Sequence, residues 1–314
     1  MIVRFDRPVS RSAFLARRLG LFALGMLVLV LLAHRFGPLK TPDFVALVLI
    51  AAIPAMLAVP LALLGLARLW QIGALGGVAA TWALIYAALP LALPGYGVYR
   101  YLTRPVLYDV SSDLTDRPEW LSAPDAPQHF LPRPAPPTGA ATAQGSAYPG
   151  LTGRRYEGAL DRVYEAVRKV AEANRLVVTA SRGQEYAMPD FALRPTTEEI
   201  ASPNQPAQSD LPPADEALPE TGPLPASRPS DEVASMPPEP TEPPGTVRLQ
   251  LTTRTLILGL PFDAVIRLRE EAEMTLVDMR VASRFGPHDL GFGDQIAEDF
   301  LHALDAELLG IAGN

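Results

Sequence analysis

The sequence contains no cysteine among its 314 residues. Disulfide bonds, thiolate metal sites and a cysteine nucleophile are therefore excluded. The four histidines, His34, His129, His288 and His302, are scattered and lack the close spacing of zinc ligands. No glycine-rich phosphate loop follows a strand-like segment. We therefore expect no cofactor and no metal, and we interpret the chain as non-enzymatic.

Charged residues are missing from three long apolar segments, residues 19–33, 44–67 and 72–93. A helix needs about 20 mainly apolar residues to cross a hydrocarbon core of about 30 Å. We predict three transmembrane helices within residues 19–98, after an N-terminal tail of residues 1–18. The first segment could instead be the apolar region of a cleavable signal peptide, because basic residues precede it and small residues end it. Charges inside a span normally mark transport paths, so their lack favours an anchor.

Basic residues around the apolar segments indicate the orientation. A cluster of arginines precedes the first segment and Arg68 lies between the second and third, whereas Arg35 and Lys40 lie in the first loop. The cluster beside the first helix usually dominates, which predicts a cytoplasmic N-terminus. With three spans, or with a cleaved signal and two spans, the C-terminal part lies outside. We expect a multi-pass protein of the cell inner membrane with a periplasmic C-terminal domain.

Proline and acidic residues are concentrated in residues 183–246. This segment holds 15 of the 33 prolines, 12 acidic residues and 2 basic residues, so it accounts for more than the whole net charge of −7. Such a composition buries too little apolar surface to offset the entropy of ordering, and we predict a disordered insert. Residues 99–153 also lack apolar periodicity, and we predict a mostly extended tether there.

The remaining residues, 154–182 and 247–314, predict a small α+β domain. Apolar residues recur at helical spacing over residues 156–174, and a strand-like run follows at 176–181. After the insert come strand-like runs at 247–257, 263–269 and 274–283, and a helix over about 289–309. The predicted fold is a three-helix membrane anchor plus a four-stranded antiparallel sheet with two helices on one face.

Alternation along the strands separates two faces of this sheet. The apolar face should meet the helices and carries Leu249, Leu251, Ile266, Leu268, Val277, Met279 and Val281. The opposite face, called here the arginine face, carries Arg248, Gln250, Thr252, Arg254, Arg267, Arg269, Asp278 and Arg280. An open face of this charge is either a solvated surface or a surface for anionic groups. The acidic insert could also fold across it and mask it.

The segment SRFGPHDLG (283–291) joins the last strand to the last helix. Asp289 is placed to cap the N-terminus of that helix, and Gly286 allows a turn with positive φ. Arg284 could pair with Asp289 or reach the sheet edge. The segment is therefore either a fixed junction or an anion site in which Arg280 and Arg284 lie beside free helix N–H groups. Ser283, His288 and Asp289 are too close in sequence to be expected to form a hydrolytic triad.

The runs GLPFDAVIR (259–267) and VDMRVASRFGPHDLG (277–291), followed by a terminal helix, resemble the domain-of-unknown-function family 1499. The runs YDVSSDLTD (108–116) and RVYEAVRKVAEANRLVVT (162–179) are also similar to that family. The resemblance implies a small α+β domain, often membrane-tethered, without an established activity. The paired aspartates of the family stand here as Phe262 and Asp263, its asparagine after DLG is Gly293, and the acidic insert is not a general family feature.

These observations predict a non-catalytic, membrane-anchored binding or assembly module. Its expected partners are the bilayer and an anionic lipid or a protein bound through the arginine face, whereas the lack of aromatic residues there argues against nucleic acid. The alternative is an uncharacterised envelope enzyme using the neighbourhood of Arg280, Arg284 and Asp289. The candidate binding residues are Arg254, Arg267, Asp278, Arg280, Ser283, Arg284 and Asp289.

Overall fold

A computed structural model describes residues 8–124, 126, 129–187 and 242–310. Its first part is a bundle of three helices, α1 (Arg11–Phe36), α2 (Thr41–Ile72) and α3 (Gly77–Thr103). Each helix is long and apolar enough to cross a membrane, as the sequence predicts. The helices extend beyond the apolar segments into the flanking polar residues, because those residues continue the backbone hydrogen bonds of each helix.

Small residues form the interior of the bundle. Ala16, Gly20 and Ala23 of α1 are buried, and a Cβ at Gly20 would lie only 2.9 Å from the Ala83 carbonyl oxygen of α3. Large apolar side chains point outward, and Leu29 is 69% exposed. A soluble bundle has the reverse arrangement, whereas helices surrounded by lipid pack closely through small residues. The small-residue interior and the exposed large apolar side chains are therefore the arrangement expected of helices in a membrane.

The two ends of the bundle have different neighbours. At one end the N-terminal segment pairs with the connection between α2 and α3, since the Ser10 N–H donates to the Leu75 carbonyl over 2.9 Å. At the other end Arg100 Nε of α3 donates to the Leu290 carbonyl over 2.6 Å. The soluble domain therefore sits on the end of the bundle opposite the N-terminal segment.

The soluble domain contains a six-stranded antiparallel sheet, not the four-stranded sheet that the sequence predicted. Its elements are β1 (Asp109–Ser111), α4 (Ala140–Ala147), β2 (Arg154–Glu157), α5 (Leu160–Ala173), β3 (Val177–Arg182), β4 (Thr246–Arg254), β5 (Pro261–Glu271), β6 (Met274–Ser283) and α6 (Phe292–Leu308). The strand order is β1-β6-β5-β4-β3, and β2 also pairs with β6. The two additional strands have only three and four residues, too few to show alternation.

The core lies between one sheet face and the helices α5 and α6. All seven residues assigned to the apolar face are buried there, together with Val167 of α5 and Phe300 of α6. Complete burial of one such side chain contributes about 1.5–3 kcal/mol. The predicted inner face and the placement of both helices on it are confirmed.

The prediction of an extended tether over residues 99–153 is wrong. The segment includes the end of α3, the strand β1 and the helix α4. Gln144 of α4 is buried and binds the backbone of Ser111 twice, at 2.7 Å through Nε2 and at 3.2 Å through Oε1. The segment also places Leu107, Val110 and Leu151 in the core, but these apolar residues are too widely spaced to form a periodic pattern. The central part of the predicted insert, residues 188–241, lies outside the described residues.

Candidate functional site

The arginine face of the sheet is covered by residues 112–122, which we call the acidic strap. Gln250 exchanges two hydrogen bonds of 2.9 Å with the backbone of Ser122. Arg280 Nη1 donates to the Pro118 carbonyl over 2.9 Å, and Arg267 Nη2 donates to the Asp116 carbonyl over 2.8 Å. The expectation of an open face is therefore wrong.

Carboxylates of the strap and the sheet neutralise the centre of this face. Arg267 lies 2.9 Å from Asp278 and 2.8 Å from Asp116. Arg269 also reaches Asp116, at 3.2 Å. The side chains of Arg267 and Asp278 are only 9% and 3% exposed. A charge buried this deeply requires a partner, so these residues are structural.

Two further arginines of the face have their own acidic partners. Arg248 Nε binds both carboxylate oxygens of Glu242, at 3.0 and 2.9 Å. Arg280 Nη2 binds Asp109 of β1 at 2.6 Å, and its guanidinium lies 5.0 Å from the centre of the Trp120 ring. Four of the five arginines are thus paired with carboxylates. The sequence left open that the acidic insert folds across this face. In the described part of the chain, Glu242 at the end of the insert pairs with Arg248, and the upstream strap covers the centre of the face.

The junction between β6 and α6 is held by local hydrogen bonds. Asp289 accepts the N–H groups of Gly291 and Gly293, at 2.7 and 3.0 Å. Asp289 is therefore not the N-cap residue, since α6 begins at Phe292 and Gly291 occupies that position. It lies two residues earlier and still accepts N–H groups at the start of the helix, as its predicted role requires. Gly286 has a φ of 78°, as the turn requires. Ser283 Oγ donates to the Phe285 carbonyl over 3.1 Å.

Arg284 pairs with Asp263 and not with Asp289. Its Nε and Nη2 atoms lie 2.8 and 2.7 Å from the two carboxylate oxygens. This hydrogen bonding raises the pKa of the guanidinium above its usual value. Arg280, Arg284 and Asp289 therefore have three separate sets of partners, and the geometry does not assemble them into one catalytic group. Within the described ranges, no three histidine or carboxylate side chains are placed to hold a metal ion.

Arg254 is the exception on the arginine face. It ends β4 and is exposed, and it has no ion pair with any residue that the structure describes. It borders two adjoining clefts of about 310 and 320 Å³ that share Arg254, Pro261 and Arg284. We call the two clefts together the cationic groove. Its basic lining residues are Arg35, Lys40, Arg175, Arg254 and Arg284.

No carboxylate of the described residues lines either cleft. Asp263, the partner of Arg284, is itself 3% exposed and lies behind the groove. Arg284 is paired with Asp263, whereas Arg35, Lys40, Arg175 and Arg254 form no ion pair with a described residue. Like charges held together in this way raise the local concentration of anions. Arg35, Lys40 and Arg175 were not among the predicted site residues, because the α1–α2 connection and the end of α5 are brought to Arg254 only by the fold.

The wall of the groove at the bundle is built from the α1–α2 connection. Lys40 occupies the N-cap position of α2 and Thr41 begins the helix, so free N–H groups and the positive end of the helix dipole face this region. His34 is buried, and its Nδ1 donates to the Leu39 carbonyl over 3.0 Å. Among the described residues its Nε2 has no hydrogen-bond partner. The groove therefore combines cations with polar helix-end groups.

A second polar cluster links α3 to the start of α6. A Cβ at Gly291 would lie 3.2 Å from Arg100 Nη2 and 3.3 Å from the Tyr148 hydroxyl oxygen. Asp294 is 7% exposed there. Burial, and then the charge of Glu298, raises the pKa of Asp294 to about 6, although Arg104 acts in the opposite direction. Burial also raises the pKa of Tyr148 to about 12.

Comparison with known proteins gives one match. A family model described as "Protein of unknown function (DUF1499)" matches residues 129–304, which is more than half of the chain. No curated protein and no solved structure matches. The matched residues include the arginine face, the junction and the helices α5 and α6, so the chain belongs to the DUF1499 family.

Proposed function

We propose that this chain is a membrane-anchored, non-catalytic binding module whose cationic groove takes the phosphate group of an anionic lipid. The observation that carries the proposal is the convergence of five basic residues on clefts that no described carboxylate lines. Arginine suits this ligand because its planar guanidinium donates two parallel hydrogen bonds to phosphate oxygens. Arg254 is exposed and open to such a contact.

The position of the groove supports a lipid as the source of the phosphate. Arg35 lies in the last turn of α1, and Lys40 lies directly before α2. Basic residues at the ends of membrane helices extend to the level of the lipid headgroups. A headgroup diffusing within the bilayer can therefore reach the groove from the side.

The expected strength of binding is modest and depends on salt. A basic residue near an anionic membrane surface contributes about 1 kcal/mol. Such attraction is screened over about 8 Å at physiological ionic strength. Several basic residues together should therefore distinguish an anionic from a zwitterionic lipid, and the difference should shrink in high salt.

We propose the same orientation that the sequence predicts, with the N-terminus in the cytoplasm and the soluble domain in the periplasm of a cell with an inner membrane. The arginines of the first turns of α1 and Arg68 of α2 lie at the end away from the domain. In this orientation the groove binds lipid of the outer leaflet of the inner membrane.

The test is native mass spectrometry of the full chain in detergent, titrated with phosphatidylglycerol or phosphatidylcholine. Wild type should retain phosphatidylglycerol preferentially, and the double variant Lys40→Gln with Arg254→Gln should lose most of that preference. Arg168→Gln is the matched control, since Arg168 is an exposed residue on α5 away from the groove. Equal lipid retention by the double variant and the control would refute the proposal.

A competition experiment distinguishes a lipid from a soluble phosphate. Inorganic phosphate or glycerol 3-phosphate is added to the full chain loaded with phosphatidylglycerol. If the lipid is the ligand, neither compound displaces it at concentrations that leave the ionic strength unchanged. Displacement by dilute soluble phosphate would show that the groove serves a water-soluble ligand, and would overturn the lipid assignment.

A further inference from the structure

The connection between β4 and β5, residues 255–260, is unusually apolar for the end of a β-hairpin. Its sequence is TLILGL. Leu256 is 67% exposed and Ile257 is 83% exposed. Hairpin connections on a water-exposed surface normally carry polar turn residues. Two adjacent exposed aliphatic side chains at such a tip therefore point to an apolar partner.

This connection lies against the membrane helices. Leu258 and Leu260 pack against a cluster that includes Leu27 of α1 and Phe44 of α2. The backbone at Gly259 passes over the end of α1, where an added Cβ would lie 3.5 Å from Arg35. The exposed side chains at the tip of the connection therefore adjoin the apolar surface that the helices present to lipid.

The backbone of the connection satisfies part of its own hydrogen bonding. The Thr255 N–H donates to the Leu260 carbonyl, and the Gly259 N–H donates to the Thr255 carbonyl, both over 3.0 Å. The Leu260 N–H donates to Thr255 Oγ1 over 2.9 Å. Gly259 closes the turn with a φ of 72°. Non-helical backbone enters a bilayer only when its polar groups have such partners or lie against protein.

We propose that residues 255–260 form a wedge that inserts into the bilayer, with Leu256 and Ile257 among the acyl chains of the leaflet that faces the domain. Arg254, which directly precedes the wedge, and Arg35 beside it would then lie at the headgroup level. The chain has a fourth membrane contact in addition to its three helices. This contact holds the soluble domain on the bilayer surface whether or not the cationic groove is occupied.

The absence of cysteine makes the proposal directly testable. The full chain carrying Ile257→Cys is labelled with a nitroxide and reconstituted into phosphatidylcholine vesicles, which contain no anionic lipid. Its collision rates with oxygen, which concentrates in hydrocarbon, and with a water-soluble nickel chelate are then compared. Leu29→Cys on the outside of α1 serves as the lipid control, and Glu271→Cys at the far end of β5 serves as the water control.

Insertion predicts an oxygen-to-nickel accessibility ratio for Ile257→Cys within about twofold of the lipid control and well above the water control. A ratio equal to that of Glu271→Cys would overturn the proposal. Low accessibility to both reagents would also overturn it, because a protein partner or a second copy would then cover the tip. The cysteine removes few native contacts, because Ile257 is almost fully exposed within the chain. Failure of lipid binding in the groove would not alter this result, since the vesicles lack its ligand.

Discussion

Arg280 of β6 and Asp109 of β1 form a two-pronged ion pair, with Nη2–Oδ2 and Nε–Oδ1 distances of 2.6 and 2.9 Å. The two residues are 171 positions apart in sequence. The pair connects β1, which directly precedes the acidic strap, to β6 on the arginine face. Together with the ion pairs of Arg248, Arg267 and Arg269, it makes most of the arginine face structural, and of the five arginines only Arg254 lines the cationic groove.

Removing one member of this pair should be more harmful than removing both. Asp109→Asn leaves Arg280 partly buried without its carboxylate, and we expect a loss of about 1–3 kcal/mol in the free energy of unfolding. The double variant with Arg280→Gln should recover part of that loss, because no uncompensated charge remains. Thermal unfolding of the full chain in detergent measures both effects. A double variant that is destabilised as much as Asp109→Asn, or more, would contradict this account of the pair.

Arg267 has three acidic partners, Asp113, Asp116 and Asp278, and the last two should differ strongly in their contributions to stability. Asp278 is 3% exposed, so Asp278→Asn is expected to cost about 1–3 kcal/mol, because it removes the buried partner of Arg267 and leaves only the strap carboxylates to neutralise the guanidinium. Asp116 is 62% exposed, and an exposed pair contributes only about 0–1 kcal/mol. Chemical denaturation of Asp116→Asn and Asp278→Asn in parallel provides a matched comparison. Equal losses would show that the exposed strap carboxylate stabilises the fold as much as the buried sheet carboxylate, and would contradict this prediction.

Asp294 should make the stability of the soluble domain depend on pH. Its pKa in the folded chain is about 6, raised by burial and by Glu298 from an ordinary value of 3.8. Between these values the folded state binds the proton more tightly than the unfolded state. The protonated carboxyl therefore stabilises the fold at low pH, and this stabilisation is lost as the pH rises through about 6.

Asp294→Asn removes this dependence. The variant should be more stable than wild type by about 1–3 kcal/mol at pH 8 and no more stable at pH 4. Thermal unfolding of both chains across this pH range is the measurement, and Asp299→Asn on the same helix is the control. A variant that is destabilised equally at every pH would mean that Asp294 acts through its negative charge on Arg100 or Arg104.

The sequence alone predicted the helices and strands in which apolar residues recur at a regular spacing over many positions. The three apolar helices, the four longer strands and the apolar sheet face follow from local pattern, because burial imposes a period on the chain. The strands β1 and β2 were missed since three or four residues carry no period. They are stabilised by pairing with β6, which is distant in sequence.

The covering of the arginine face could not be predicted from alternation. A strand pattern shows which side chains share a face, but it does not show which distant segment packs on it. The acidic residues Asp109, Asp113 and Asp116 precede the domain, and their charge was a usable signal, since they complement the arginines. Arg254 is the arginine of this face that stays exposed. Its basic neighbours Arg35, Lys40 and Arg175 required the fold, because the groove joins the bundle to the sheet edge.

The orientation of the chain can be tested at its two ends with single cysteines. Glu271→Cys lies on the soluble domain, and Gln71→Cys lies at the exposed end of α2, on the side of the bundle away from the domain. Both positions are polar and exposed, so the substitutions should not disturb packing. A membrane-impermeant maleimide is applied to cells whose outer membrane has been permeabilised.

Because the arginines near the start of α1 favour the cytoplasm, Glu271→Cys should be labelled at once and Gln71→Cys only after the inner membrane is lysed. The reverse pattern would place the soluble domain in the cytoplasm. The cationic groove would then face the inner leaflet, where basic residues commonly meet anionic lipid. The groove would still bind an anionic lipid. The basic residues that set the orientation would then be those at the domain end, Arg35, Lys40, Arg100 and Arg104.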